Sequence, residues 1–144
     1  MALDLSLAHY AWSTRWIPLS KGGRVEIRRW NSPAVRHLQT RLYQEYRRAR
    51  PGKPRITGKI VPPEVIEAVQ LDLVVGAVLT DWDEFADGRV EFPYSEENAR
   101  ALLTQERYRW ILDEIVDASQ EADEDVEAEQ EEDRKNSVTS LPGD

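Results

Sequence analysis

The sequence predicts an α+β fold that is predominantly α-helical: an N-terminal β-hairpin, then roughly four helices, the last one acidic and extended. Three observations predict it. Gly22-Gly23 lies between Trp16-Ile17-Leu19 and a return strand of alternating polarity, the pattern of a hairpin. Apolar residues then recur at spacings of three and four behind a Ser-Pro helix start. Finally, the run from Asp117 to Asp133 holds ten carboxylates and no cation among good helix formers.

The hairpin spans Trp12 to Trp30. Trp16, Ile17 and Leu19 precede the turn Ser20-Lys21-Gly22-Gly23. In the return strand Val25 and Ile27 share one face with Arg29, while Arg24, Glu26, Arg28 and Trp30 share the other. Asn31-Ser32-Pro33 starts the first helix. The Ser32 side chain accepts from early backbone N–H groups, and Pro33 at the first helical position forfeits no hydrogen bond. This helix runs to about Ala49 on a stripe of Ala34, Val35, Leu38, Leu42, Tyr43 and Tyr46; its other face carries Arg36, Arg41, Arg47 and Arg48.

The segment Arg50-Pro51-Gly52-Lys53-Pro54-Arg55 reads as a basic linker. A second helix opens at Pro63, with Glu64 and Glu67 in the first turn, where the helix dipole favours anions. Its wide stripe runs Val65, Ile66, Val69, Leu73, Val74, Ala77, Val78 and Trp82, which places it at the expected centre of the core. Asp83 to Tyr94 reads as a loop or short hairpin around Asp87-Gly88. Ser95 caps a short helix over Glu96–Leu103, with Tyr94 positioned as a staple on Ala99. Thr104 is expected to cap the last helix, whose stripe is Tyr108, Ile111, Leu112, Ile115, Val116 and Ala122. That stripe fades after Val116. The acidic stretch therefore reads as a helical extension into solvent, opposed by like charges at i, i+4 such as Glu121–Asp125 and Glu127–Glu131. The expected organisation is a globular domain over 1–116, an acidic helical extension over 117–135 and a disordered tail over 136–144.

Charge is sorted along the chain. Residues 1–60 carry thirteen Lys/Arg and three Asp/Glu, whereas residues 61–144 carry six and twenty-four; the net charge of −8 conceals this split. Such a dipole suits a protein that meets charged partners, or copies of itself, end to end. Binding edges are expected at Arg47, Arg48, Arg50, Lys53 and Arg55 on the basic side. On the acidic side they are Asp117, Glu121, Asp123, Glu124, Asp125 and Glu127.

The residue inventory points away from catalysis. There is no Cys, so disulfides, thiolate metal sites and Cys nucleophiles are excluded. His9 and His37 sit in no catalytic or metal motif, the serines form no nucleophile elbow, and Gly22-Gly23 lacks the ending of a phosphate loop. Asp83, Asp87, Gly88, Val90 and Glu91 match part of a calcium loop. Phe85 and Tyr94 occupy two ligand positions, and a tight Asp-Gly turn explains the same residues. No cofactor or metal is expected. No apolar run approaches the ~20 residues of a membrane span, and Met1–Tyr10 has no signal-peptide pattern, so a cytoplasmic protein is expected. The segment from Arg47 to Lys59, with Tyr43 and Tyr46 nearby, also offers a nucleic-acid reading, which the acidic total opposes.

Three segments together resemble small tail assembly chaperones of long-tailed bacteriophages. They are Val25-Glu26-Ile27-Arg28-Arg29-Trp30-Asn31-Ser32-Pro33, then Leu79-Thr80-Asp81-Trp82 with Asp87-Gly88, then Phe92-Pro93-Tyr94-Ser95-Glu96-Glu97-Asn98-Ala99. The acidic C-terminal helix ending near Lys135-Asn136-Ser137 is similar too, so the resemblance spans Ser13 to Ser137. The residues that carry it are Trp30, Asn31, Pro33, Trp82, Gly88, Pro93, Tyr94, Ser95 and Asn98; Phe85-Ala86 departs from the pattern. The resemblance implies a non-enzymatic protein that binds the tape-measure protein and helps recruit tail-tube subunits. It also implies a place in the host cytoplasm and absence from the mature virion. A virion neck or tail-completion protein, and a nucleic-acid-binding regulator using residues 47–59, are the alternatives.

Overall fold

The structure, a computed structural model, describes residues 14–48 and 61–139, with side chains through Lys135. Arg50, Lys53 and Arg55 lie outside the described residues, as do His9 and Trp12.

The hairpin forms where the two glycines predict it. Strand β1 (Thr14–Pro18) pairs antiparallel with β2 (Arg24–Arg28), from Thr14 opposite Arg28 to Pro18 opposite Arg24. Leu19 donates its N–H to the Gly23 carbonyl, and Gly22 to that of Leu19. The turn holds Gly22 at φ 111° and Gly23 at φ 78°, a region that side chains resist. Val25 and Ile27 are buried on the inner face, as their alternation requires. Pro18 is tolerated because β1 is an edge strand.

Helix α1 (Pro33–Arg47) starts on a Ser32 cap and buries Val35 and Leu42. Helix α2 (Pro63–Leu73) passes into a π-helical turn over Val74–Val78, of which Val74, Val75, Ala77 and Val78 are buried. A Cβ at Gly76 would come within 2.8 Å of Leu38 Cδ2, so a side chain there would push the tip of Leu38 on α1 aside.

The helix does not continue to Trp82. A third strand, β3 (Leu79–Asp83), pairs antiparallel with β2 and completes a sheet in the order β1-β2-β3. The run from Val74 to Leu79 is apolar almost all round. Hydrophobic period therefore cannot separate helix from strand there, and pairing to β2 decides it. The register shifts between Glu26 and Ile27. Thr80 is the bulged residue, and its hydroxyl donates to the Glu26 carbonyl at 3.1 Å and carboxylate at 2.6 Å.

Strands β4 (Ala86–Asp87) and β5 (Val90–Glu91) form the small hairpin around Asp87-Gly88. Helix α3 (Glu96–Leu103) begins at its Ser95 cap, whose Oγ accepts from Asn98 N–H at 2.9 Å. Thr104 closes this helix rather than opening the next one. Its backbone is still α-helical, and both its N–H and its hydroxyl donate to the Arg100 carbonyl. A 3-10 turn over Glu106–Tyr108 then leads into α4 (Arg109–Thr139).

Helix α4 has 31 residues, a length of about 46 Å. It does not leave the domain at Asp117: Ser119, Ala122 and Val126 are buried. The chain around Trp30, far away in sequence, docks on this stretch: Trp30 N–H donates to the Ser119 carbonyl and Asn31 N–H to the Asp123 carboxylate. The helix also continues through Thr139, past the Asn136 at which a disordered tail was expected. One core results, with the inner sheet face and the π-helical turn covered by α1, α2, α3 and α4.

Candidate protein-binding surfaces

The residues of the three motif segments build structure. Trp82 is the hub of the second and third shared segments. It stacks on Phe85 and Phe92 with ring centroids 4.7 Å and 5.6 Å away, and meets the Tyr94 ring edge-on at 5.2 Å. Its indole N–H donates to the Phe92 carbonyl at 2.8 Å. Tyr94 donates its hydroxyl to the Leu79 carbonyl, and burial raises its pKa above the ordinary 10.0, with the Glu96 and Asp81 charges adding to the effect. Asn98 ties the loop to α3 by donating its side-chain amide to the Pro93 carbonyl. Gly88 sits in the tip of the second hairpin at φ 67°.

The first shared segment is docked on the acidic helix. Trp30 N–H donates to the Ser119 carbonyl at 3.1 Å. Asn31 N–H donates to both carboxylate oxygens of Asp123, at 3.0 Å and 2.9 Å. The Arg29 guanidinium meets the same carboxylate at 3.3 Å, with both side chains largely buried. Pro33 follows as the first residue of α1. Farther along, Arg15 pairs with Asp125 at 2.7 Å, and Ser20 donates its N–H and hydroxyl to the Glu114 carboxylate. Asp123 and Asp125, expected as binding edges, are thus used within the fold. Asp117, Glu121, Glu124 and Glu127 remain exposed.

On the basic side, Arg47 and Arg48 are exposed at the C-terminal end of α1. Neither makes an ion pair among the described residues. Thr40, Tyr43, Gln44 and Arg47 line a shallow hollow of about 370 Å³ on the outer side of this helix. His37 is exposed on α1.

Sequence reasoning missed a cleft of about 480 Å³ between the two hairpin turns and the start of α4. Phe85, Phe92, Tyr108 and Trp110 supply its aromatic walls, and Lys21 and Arg107 its cationic rim. Lys21 Nζ lies 4.7 Å above the Trp110 ring, and the Arg107 guanidinium 4.9 Å from that of Tyr108. Glu84, at the opposite lip, holds φ 62°, an uncommon conformation for a residue with a Cβ. Phe85 is seated against Gly23, where a Cβ would lie 2.8 Å from the ring. These residues come from three separate stretches of chain. The one signal in the sequence was the number of aromatic residues that no helical stripe absorbed.

A family model described as YdaY prophage protein matches residues 30–136. No curated protein matches the chain, and no solved structure matches it.

Proposed function

We propose that this chain, which belongs to the YdaY prophage protein family and is therefore phage-derived, is a tail assembly chaperone acting through protein–protein contacts. Its client is the tape-measure protein, and it helps recruit tail-tube subunits in the host cytoplasm without entering the mature virion. The reading is non-enzymatic: its sites offer apolar contact and charge.

The observation that carries the proposal is the aromatic cleft beneath Lys21 and Arg107. A long helical client presents apolar side chains at intervals of three and four. A groove with aromatic walls and a charged rim accepts such side chains while staying soluble when empty. The exposed carboxylates of α4 supply a second, reversible contact, which suits a client that must later be released. The resemblance through Trp30, Trp82 and the Pro93-to-Asn98 segment supports the same reading.

The test is co-expression with a tape-measure protein. Wild type is expected to keep it soluble. Lys21→Glu combined with Trp110→Ser should remove most of that effect, and Glu124→Lys with Glu127→Lys should weaken it. Circular dichroism on each variant separates loss of binding from loss of fold. An unchanged soluble fraction with and without the protein would falsify the proposal. Stoichiometric copies in purified particles, seen by mass spectrometry, would replace it with a structural role in the virion.

A further inference from the structure

The ends of the molecule differ in charge because of how α1 and α4 run. Both are anchored on α2 at one end. Tyr46, near the C-terminus of α1, donates its hydroxyl to Asp72 at 3.2 Å. Arg109, the first residue of α4, reaches Glu67 at 3.7 Å. At the other end, Asn31 just before α1 bonds to Asp123, fourteen residues into α4. The two helices therefore run antiparallel. Helix α4 continues past Val126, the last buried residue among its described side chains, for thirteen more residues, about 20 Å of helix. This arm projects at the end opposite Arg47 and Arg48. Glu127, Glu129, Glu131, Glu132 and Asp133 are exposed along it.

The arm is held weakly. None of its described side chains, Glu127 to Lys135, is buried; Arg134 pairs with Glu131 at 3.2 Å, while Glu127–Glu131 and Glu129–Asp133 repel at i, i+4. The opposite end carries the complementary surface: the exposed Arg47 and Arg48, beside the hollow lined by Thr40, Tyr43 and Gln44. One chain cannot bring these two ends together, because the length of α1 and the α2 anchor lie between them.

We infer that the chain associates with second copies of itself head to tail, the acidic α4 arm of one copy seating on the basic, hollowed face of α1 in the next. Such a contact is heterologous: each copy offers one arm and one receiving face, so the assembly extends or closes into a ring. The arm is too slender to approach the ~1,200 Å² of a stable interface, which places the contact in the weak class held by charge. This inference goes beyond the client reading and does not depend on it.

Sedimentation of the full chain tests it. The weight-average mass should rise with protein concentration at about 50 mM salt. At about 1 M it should fall back to the monomer, because screening then acts within ~3 Å. Arg47→Glu with Arg48→Glu should weaken association by about tenfold or more, as should Glu127→Lys with Glu131→Lys. Mixing the two double variants should restore association, since each then offers the surface that the other needs. All four positions are exposed, and circular dichroism confirms that the variants fold. A monomer at every concentration in low salt overturns the inference. So does association that neither variant weakens, or variants that remain monomeric when mixed. Client solubility is a separate readout, so the failure of one proposal does not disguise the failure of the other.

Discussion

Asp123 serves two kinds of donor at once, the backbone N–H of Asn31 and the guanidinium of Arg29, with only 16% of its side chain exposed. Removing it leaves the exposed Asn31 N–H to water and the largely buried Arg29 without this carboxylate. Asp123→Ala is expected to cost about 2–3 kcal/mol, which lowers Tm by roughly 5–10 °C for a chain of this size. The exposed neighbour Glu124→Ala should shift stability by less than about 0.5 kcal/mol. Thermal melts of the two variants check the contrast. Asp83 offers a milder test. The Arg24 side chain bonds its carboxylate, and with the Glu84 N–H holds its pKa below the ordinary 3.8. A carboxylate with a lowered folded-state pKa adds stability above its unfolded value and loses it as pH falls through the folded value. Asp83→Asn should therefore melt below wild type near neutral pH, and the gap should close as pH falls through the lowered folded-state value. The effect is small, because both partners are half exposed. Neither role was legible in the sequence: Asp123 is one of ten carboxylates between Asp117 and Asp133, and only its position opposite Asn31 singles it out.

At the scale of elements, local chemistry was legible and pairing was not. Ser32-Pro33 and Ser95 start α1 and α3 where capping chemistry puts them, and Gly22-Gly23 turns the hairpin. Strand β3 was hidden because its first residues continue an apolar run that reads equally well as helix. Thr104 misled because a threonine can cap either end of a helix, and here its hydroxyl turns back to Arg100. Helix α4 divides at Val126 into a packed part and an arm. Stopping the chain after Val126 should leave the Tm within a few degrees of wild type, because the removed side chains, as far as Lys135, are exposed or half-exposed. Stopping it after Asp117 should unfold the domain, because Ser119, Ala122 and the Asp123 contacts go with it. Circular dichroism melts of the two truncations read this directly.

Across the whole molecule, the charge split of the sequence becomes a polarity in space. Part of it is spent inside the fold: Asp123 and Asp125 hold Arg29 and Arg15, so acidic helix and basic hairpin brace each other. The remainder is displayed, acidic on the arm and basic at the far end of α1. The aromatic cleft also belongs to this scale, since Lys21, Phe85 and Trp110 lie in separate elements. By itself the sequence determined the mixed, mainly helical class, the caps and turns that start most elements, and the sorting of charge, because each depends on residues close together in the chain. Only the tertiary structure decided the third strand, the docking of the acidic helix on the Trp30-Asn31 segment, and the cleft. Each of these joins residues tens of positions apart, and burial and hydrogen-bond geometry, rather than local pattern, choose among the partners.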